Sequence, residues 1–272
     1  MNRHFDIPAD RHDLPVSVLR RLWERAAELN LPVLLVGAAA RDLVASAVIG
    51  KPPTRATHDV DIAVAVPAGD AFTAFTSTFT RTQSVHKVKV EGVDVDIVPF
   101  GAIETRGEVH LDEGHALNVV GMAESMAQAD RITLAPGLTI RCASLESLSG
   151  LKIIAWRDRR RISTKDAVDL RTLLDAASEP PYSDETWDDV AALEACDYMI
   201  DHAGAYRLGR DCARSFSPDR GAQILHVLHD ATTRSDLIRD MHALMAADYI
   251  DAYSRGYSVG LGGPSDAHLP LS

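Results

Sequence analysis

The sequence predicts a mixed α/β (α+β) chain in which strands dominate the first half and helices alone make up the second. Three observations carry this expectation. Residues 60–66 alternate apolar and small or acidic positions, the period of a strand with one face on a core. Residues 86–90 and 93–99 alternate in the same way around Glu91-Gly92, a two-residue turn with glycine second. Beyond the break at Glu179-Pro180-Pro181, apolar residues recur only at helical spacing. The expected division is a core domain over residues 1–143, a helical domain over 144–256, and a disordered glycine-containing tail over 257–272.

A chain of 272 residues, 46% apolar and 25% charged, has the composition of an ordinary globular protein and can bury one large core or two modest ones. Its net charge of −11 argues against binding nucleic acid over its whole surface, though it leaves room for a local basic patch. Arg3, His4, Asp6 and Asp10 interrupt any leader-like apolar run, and no stretch is long and apolar enough to span a bilayer. A cytoplasmic protein with no membrane partner is therefore expected. Cys142, Cys196 and Cys212 are widely spaced and odd in number, which fits neither a disulfide framework nor a zinc site.

Taken in order, Val16, Leu19, Leu22, Trp23, Ala26 and Leu29 mark a helix that Asn30 and Pro32 stop. Val33-Leu34-Leu35-Val36 reads as a buried strand, passing through Gly37-Ala38 into a helix over 39–48. A glycine between a strand and a helix N-terminus leaves backbone N–H groups and the positive dipole end facing out, which suits a phosphate. A tight bend alone would also account for the glycine. Arg41-Asp42 reads as a local ion pair, and 51–55 as a loop leading to the acidic strand.

In that strand Val60, Ile62, Val64 and Val66 face the core, which puts Asp59 and Asp61 on the opposite face. Strand residues i and i+2 lie about 6.6 to 6.8 Å apart at Cα. Two such carboxylates can converge on divalent cations about 3.5 to 4 Å apart, the spacing of two-metal phosphoryl-transfer sites. An edge strand with two solvated aspartates has the same pattern. A helix is expected over 70–80. In the following hairpin Val93, Val95 and Ile97 face one way, Asp94 and Asp96 the other, so a third carboxylate is available on a neighbouring strand. Residues 109–115 read as acidic and irregular. A short helix over 123–129 and a hairpin of 132–134 with 138–141 around Pro136-Gly137 follow.

Ser144 is an N-cap candidate for a helix carrying Leu145, Leu148, Leu151, Ile154 and Ala155. Lys152 interrupts its apolar stretch, either as a snorkelling side chain or as a cation reaching a nucleotide triphosphate. Arg157, Arg159, Arg160, Arg161 and Lys165 then stand against Asp158 alone, the one candidate patch for a polyanion such as RNA. A solvated charge run, with Lys165 pairing Asp169 at i, i+4, has the same appearance. Helices are expected over 187–200, 202–213, 220–229 and 233–253. His226 and His229 lack a third ligand nearby and read as surface or packing residues.

The order of these motifs resembles a known family. It runs from Gly37 after a buried strand, through Arg41-Asp42 and the D-x-D strand, to Asp96-Ile97-Val98-Pro99-Phe100-Gly101. Leu151-Lys152-Ile153-Ile154-Ala155-Trp156-Arg157 and Lys165-Asp166-Ala167-Val168-Asp169-Leu170 complete it. Over residues 34–174 this is similar to the AbiEii/AbiGii-type nucleotidyltransferase toxins of bacterial type IV toxin-antitoxin systems, a group that includes the MenT toxins. The resemblance implies a DNA polymerase β-like nucleotidyltransferase core, a two-metal Mg2+ site, an NTP as substrate and a cognate antitoxin as partner. In the MenT branch it also implies the 3′ end of tRNA as acceptor. Asp59, Asp61 and Asp96 would hold the metals, with Asp96 as base. Gly37 and Ala38 would cradle phosphate, and Ala38 stands where many members carry a serine. Lys152 would contact the triphosphate, and Lys165, Asp166 and Asp169 match the later charged motif. The arginines from Arg157 to Arg161 would meet nucleic acid.

Rival readings share part of this pattern. CCA-adding enzymes and poly(A) polymerases have a similar head motif, but their nucleotide-selecting arginine-aspartate motif has no counterpart here. Nucleotidylation of a protein or small-molecule hydroxyl fits the acidic charge. An idle nucleotide-binding module is disfavoured by the three carboxylates and Lys152.

Overall fold

The computed structural model describes residues 2–53, 59–112 and 115–262. Thr57 and His58 of the acidic run, Thr54 and Arg55 of the loop before it, and the tail from 263 lie outside the described residues. The chain divides into two compact units, Met1–Ser144 and Leu145–Ser272. The mixed α/β class is as expected.

The first unit is organised by the apolar runs. β1 (His4–Asp6) leads into α1 (Val16–Glu28), whose buried side chains Val18, Leu19, Leu22 and Ala26 form one stripe. β2 (Val33–Val36) is buried at every position, as a continuous aliphatic run in a central strand should be. The helix after it starts at Gly37, earlier than its apolar spacing indicates: α2 (Gly37–Asp42) continues into a π-helical turn, Leu43–Ala47. β3 (Val60–Val66) contains Asp61 but not Asp59, which sits exposed in the bend just before it.

α3 (Gly69–Thr76) is shorter than expected, because residues 80–81 leave the helix to form β4 (Thr80–Arg81) against β5 (Lys87–Val90). β5 and β6 (Val93–Gly101) form the expected hairpin, with Glu91 and Gly92 both in the left-handed region that such a turn requires. Residues 109–112 and 115 are not irregular. β7 (Glu108–Asp112) pairs with β8 (His115–Asn118), Val109 opposite Leu117, in a separate two-stranded sheet. Its acidic and histidine positions alternate with Val109 and Leu111, so a strand period lay beneath the charge. α4 (Met122–Ala127), β9 (Asp130–Ala135) and β10 (Leu138–Cys142) complete the unit. The eight-stranded sheet runs β1-β9-β10-β2-β3-β6-β5-β4, which puts β3 and β6 side by side near its middle.

The second unit is helical: α5 (Leu145–Arg159), α6 (Lys165–Ala176), α7 (Tyr182–Trp187), α8 (Val190–Ala195), α9 (Ile200–Ser215), α10 (Pro218–His229), α11 (Ala231–Asp240) and α12 (Ala246–Gly260). The single helix expected over 187–200 is broken. Asp189 caps α8 by accepting from the Ala192 N–H, and Asp197 and Tyr198 turn left-handed before α9. The helix expected over 233–253 is likewise split, by His242 at positive φ. α12 runs on through residues assigned to the tail: Tyr257 is fully buried and its hydroxyl donates to the Gly221 carbonyl at 3.1 Å. All three cysteines are free and buried. Among the described residues no helix is long and apolar enough to cross a membrane.

Candidate active site

β3 and β6 run parallel with Val60 opposite Val95 and Asp61 opposite Asp96. Partners in register project to the same side, and neighbouring strands lie about 4.8 Å apart. The valine pair is buried, which turns the aspartate pair to the other side of the sheet, where both are half-buried. Like charges placed opposite one another on a sheet repel. Something must offset them.

Two features stand beside the pair, one making room for it and one offsetting its charge. The first is Gly37, at φ +70 where β2 passes into α2. A Cβ built there would overlap the Asp61 carboxylate, so the space of the missing side chain is what admits that group. Only glycine meets both conditions without strain. The second is Lys87. The β5–β6 register sets it directly opposite Asp96, and its ammonium reaches the Asp96 carboxylate at 3.2 Å. That hydrogen bond holds the Lys87 ammonium above the ordinary lysine range, with attraction from Asp96, Asp59 and Asp94 adding to it against partial desolvation. Lys89 pairs in the same manner with Asp94 at 3.0 Å. The row across three strands therefore reads Asp61, Asp96, Lys87. Lys87 was not singled out from the sequence, although the two-residue turn fixes its partner: counting back from Glu91-Gly92, Val90 meets Val93 and Lys87 meets Asp96. Among the described residues no three His, Cys, Asp or Glu side chains form a ready-made metal cage.

Next to this row, the Arg41-Asp42 pair forms as expected. Arg41 is fully buried, and its Nε donates to Asp42 at 2.9 Å.

The second unit gathers the other sequence candidates into a cluster of its own. Lys152, on the buried face of α5, donates to Asp169 at 2.7 Å and to Asp166 at 3.1 Å, both on α6. All three are buried, and Arg159 closes the group by donating to Asp166 at 2.8 Å. Lys165 lies at the exposed start of α6, and it is Lys152 that pairs with Asp169. The basic run is less open than its composition indicates. Arg157 pairs with Asp158 at 2.9 Å, Arg159 with Asp166, and Arg160 with Asp236 at 3.0 Å while its guanidinium stacks over Trp156. Arg161 is exposed and has no acidic partner among the described residues. Its neighbours Arg160, Arg239, Asp236 and Asp240 line a cleft of about 240 Å³.

The first unit thus carries paired carboxylates on its mixed sheet beside a glycine at a strand-to-helix junction. Residues 36–253 match the family described as nucleotidyl transferase AbiEii toxin, type IV toxin-antitoxin system. The chain belongs to this family, and is accordingly an NTP-using nucleotidyltransferase of a toxin class that is paired with antitoxins. Comparison with curated proteins finds no match.

Among solved structures, the solution structure of the antibiotic-resistance factor ANT(2'')-Ia is similar over 58% of this chain and 81% of its own, at 15% identity and a TM-score of 0.37. A crystal structure of ANT(2'')-Ia with adenylyl-2''-tobramycin is 16% identical with the same TM-score, covering 58% and 86%. An antigenic nucleotidyltransferase-like protein from Paracoccidioides brasiliensis is 20% identical with a TM-score of 0.38, covering 58% and 74%. Likenesses this distant say nothing of the acceptor.

Proposed function

We propose that this chain transfers a nucleoside monophosphate from an NTP to the 3′ end of tRNA, blocking translation as the toxin of its system, with Asp59, Asp61 and Asp96 as the catalytic carboxylates. The observation that carries the reading is the register of Asp61 on Asp96 beside the side-chain-free space of Gly37.

The residues fit a hard divalent cation. The donors are all carboxylate oxygens, as Mg2+ prefers, and an ammonium already stands on Asp96 where a cation would sit. Asp59, Asp61 and Asp96 would hold two Mg2+ ions, which when bound neutralise triphosphate charge and lower the pKa of an acceptor hydroxyl. The chain's own residues supply the rest. Asp96 takes the proton of the acceptor hydroxyl; its oxygen bonds to the α-phosphorus, the bond to the bridging oxygen breaks, and pyrophosphate leaves with the electron pair. Backbone N–H groups at Gly37 and Ala38 hold phosphate oxygens. Lys152 has three donors, of which Asp166 and Asp169 take two, so these aspartates orient it within its own unit. Lys165 and Arg161 are exposed cations available to the nucleic acid.

A second reading, transfer to a protein or small-molecule hydroxyl, is favoured by one observation: three of the four arginines proposed to meet RNA are paired with carboxylates of their own unit. The test is incubation of the protein with Mg2+, each labelled NTP in turn and total tRNA, beside the Asp59→Ala variant. Asp59 is exposed, so its removal spares the fold. Label on the tRNA 3′ end should fall at least about a hundredfold in the variant. Folded wild-type protein that labels no tRNA with any NTP would exclude the tRNA acceptor. Growth arrest on expression that the same substitution abolishes is the expected sign of a toxin.

A further inference from the structure

Asp96 already has a cation. Its carboxylate is held by Lys87 at 3.2 Å across the β5–β6 ladder, and in the other direction the register sets it opposite Asp61. Lys87 also feels Asp59 and Asp94, so the one ammonium acts on two of the three carboxylates proposed to bind cations. Neither member of the pair is deeply buried: the Lys87 side chain is 30% exposed and that of Asp96 is 23%. A divalent ion can therefore approach, and a lysine on its flexible four-carbon stem can withdraw without moving the strand.

We infer that Lys87 is a tethered placeholder cation, occupying Asp96 in the nucleotide-free protein and competing with the divalent ion for it, so that it positions Asp96 and sets the site's affinity for that ion. It offsets the Asp61–Asp96 repulsion while the site is empty. Because the ion must displace it, cation binding is weaker than the carboxylates alone would give, and the site fills when an NTP brings further ligands. This inference rests on the carboxylates being the cation site.

Mn2+ alone, followed by the loss of its free-ion electron paramagnetic resonance signal, reads the competition without any turnover. The variants are Lys87→Met, Lys87→Arg, Lys89→Met and Asp61→Asn, each checked for native circular dichroism. Lys87→Met should bind Mn2+ about fivefold tighter than wild type, the equivalent of one partly exposed ion pair. Lys87→Arg, which keeps a cation on Asp96, should stay near wild type. Lys89→Met removes the same charge two residues away, where the partner is Asp94, and should change affinity by less than about twofold. Equal tightening by Lys87→Met and Lys89→Met would reduce the effect to net charge and overturn the placeholder. Unchanged affinity in Lys87→Met, with Mn2+ still lost in Asp61→Asn, would overturn it while leaving the cation site standing. Mn2+ binding that Asp61→Asn does not weaken would remove the cation site itself, and the placeholder with it.

Discussion

Gly37 is constrained twice, and the two constraints can be separated. Its φ of +70 is a conformation that costs an L-residue about 1 to 2 kcal/mol. Its Cβ position is filled by the Asp61 carboxylate, so any side chain must also push that group aside. Gly92, in the β5–β6 turn, has the first constraint without the second: φ is +86, and nothing lies within 4 Å of a built Cβ. Gly92→Ala should therefore lower stability by about 1 to 2 kcal/mol in urea unfolding and leave nucleotide transfer close to wild type. Gly37→Ala should lose comparable stability and, with Asp61 displaced, at least about tenfold in transfer rate. Equal transfer by the two variants would mean that Asp61 does not act from the place Gly37 makes for it. The glycine was legible in the sequence as a turn before a helix. That its empty side holds a carboxylate was not, because residues 37 and 61 meet only through the pairing of β2 with β3.

Where helices pack, glycine has the opposite sense from its local preference. α9 and α12 approach so closely that a Cβ on Gly256 would overlap the Tyr206 carbonyl, and one on Gly209 the Tyr253 carbonyl. Alanine ordinarily stabilises a helix interior over glycine by about 1 kcal/mol. Gly256→Ala should instead destabilise by about 1 to 3 kcal/mol as the helices are forced apart, whereas Gly69→Ala, at the open start of α3, should be neutral or stabilising in the same urea titration. The helices of this unit were legible as periods but not as lengths. A stretch such as 187–200 keeps its apolar spacing through a break, since the break is made by left-handed residues at Asp197 and Tyr198 that are neither glycine nor proline. The strands of the first unit were read more fully, because alternation and a two-residue turn fix both face and register. The same register holds Lys87 against Asp96, a contact that follows from the two-residue turn by counting back along both strands.

The tRNA acceptor proposed above would have to be met by a chain whose net charge is −11, so local cations would have to do what the overall field opposes. The run from Arg157 to Lys165 looks like ample provision, yet Arg157, Arg159 and Arg160 each hold a carboxylate, and exchanging that partner for a phosphate leaves an acid uncompensated. For Asp166 the loss would fall on a buried group already shared with Lys152, so Arg159 in particular has reason to stay. That leaves Arg161 and Lys165 as the exposed cations of the run with no acidic partner among the described residues. Each phosphate contact to a single-stranded end contributes about −0.7 to the slope of log affinity against log salt. A chain using two such contacts should show a slope of about −1.4, and Arg161→Gln should make it shallower by about 0.7. Measuring tRNA binding between about 50 and 200 mM salt reads this directly. A slope of about −3.5, the value for all five cations of the run, would mean that the paired arginines release their carboxylates to the nucleic acid, and that the acidic side chains Asp158, Asp166 and Asp236 act as placeholders for phosphate in the way Lys87 is inferred to act for a metal ion.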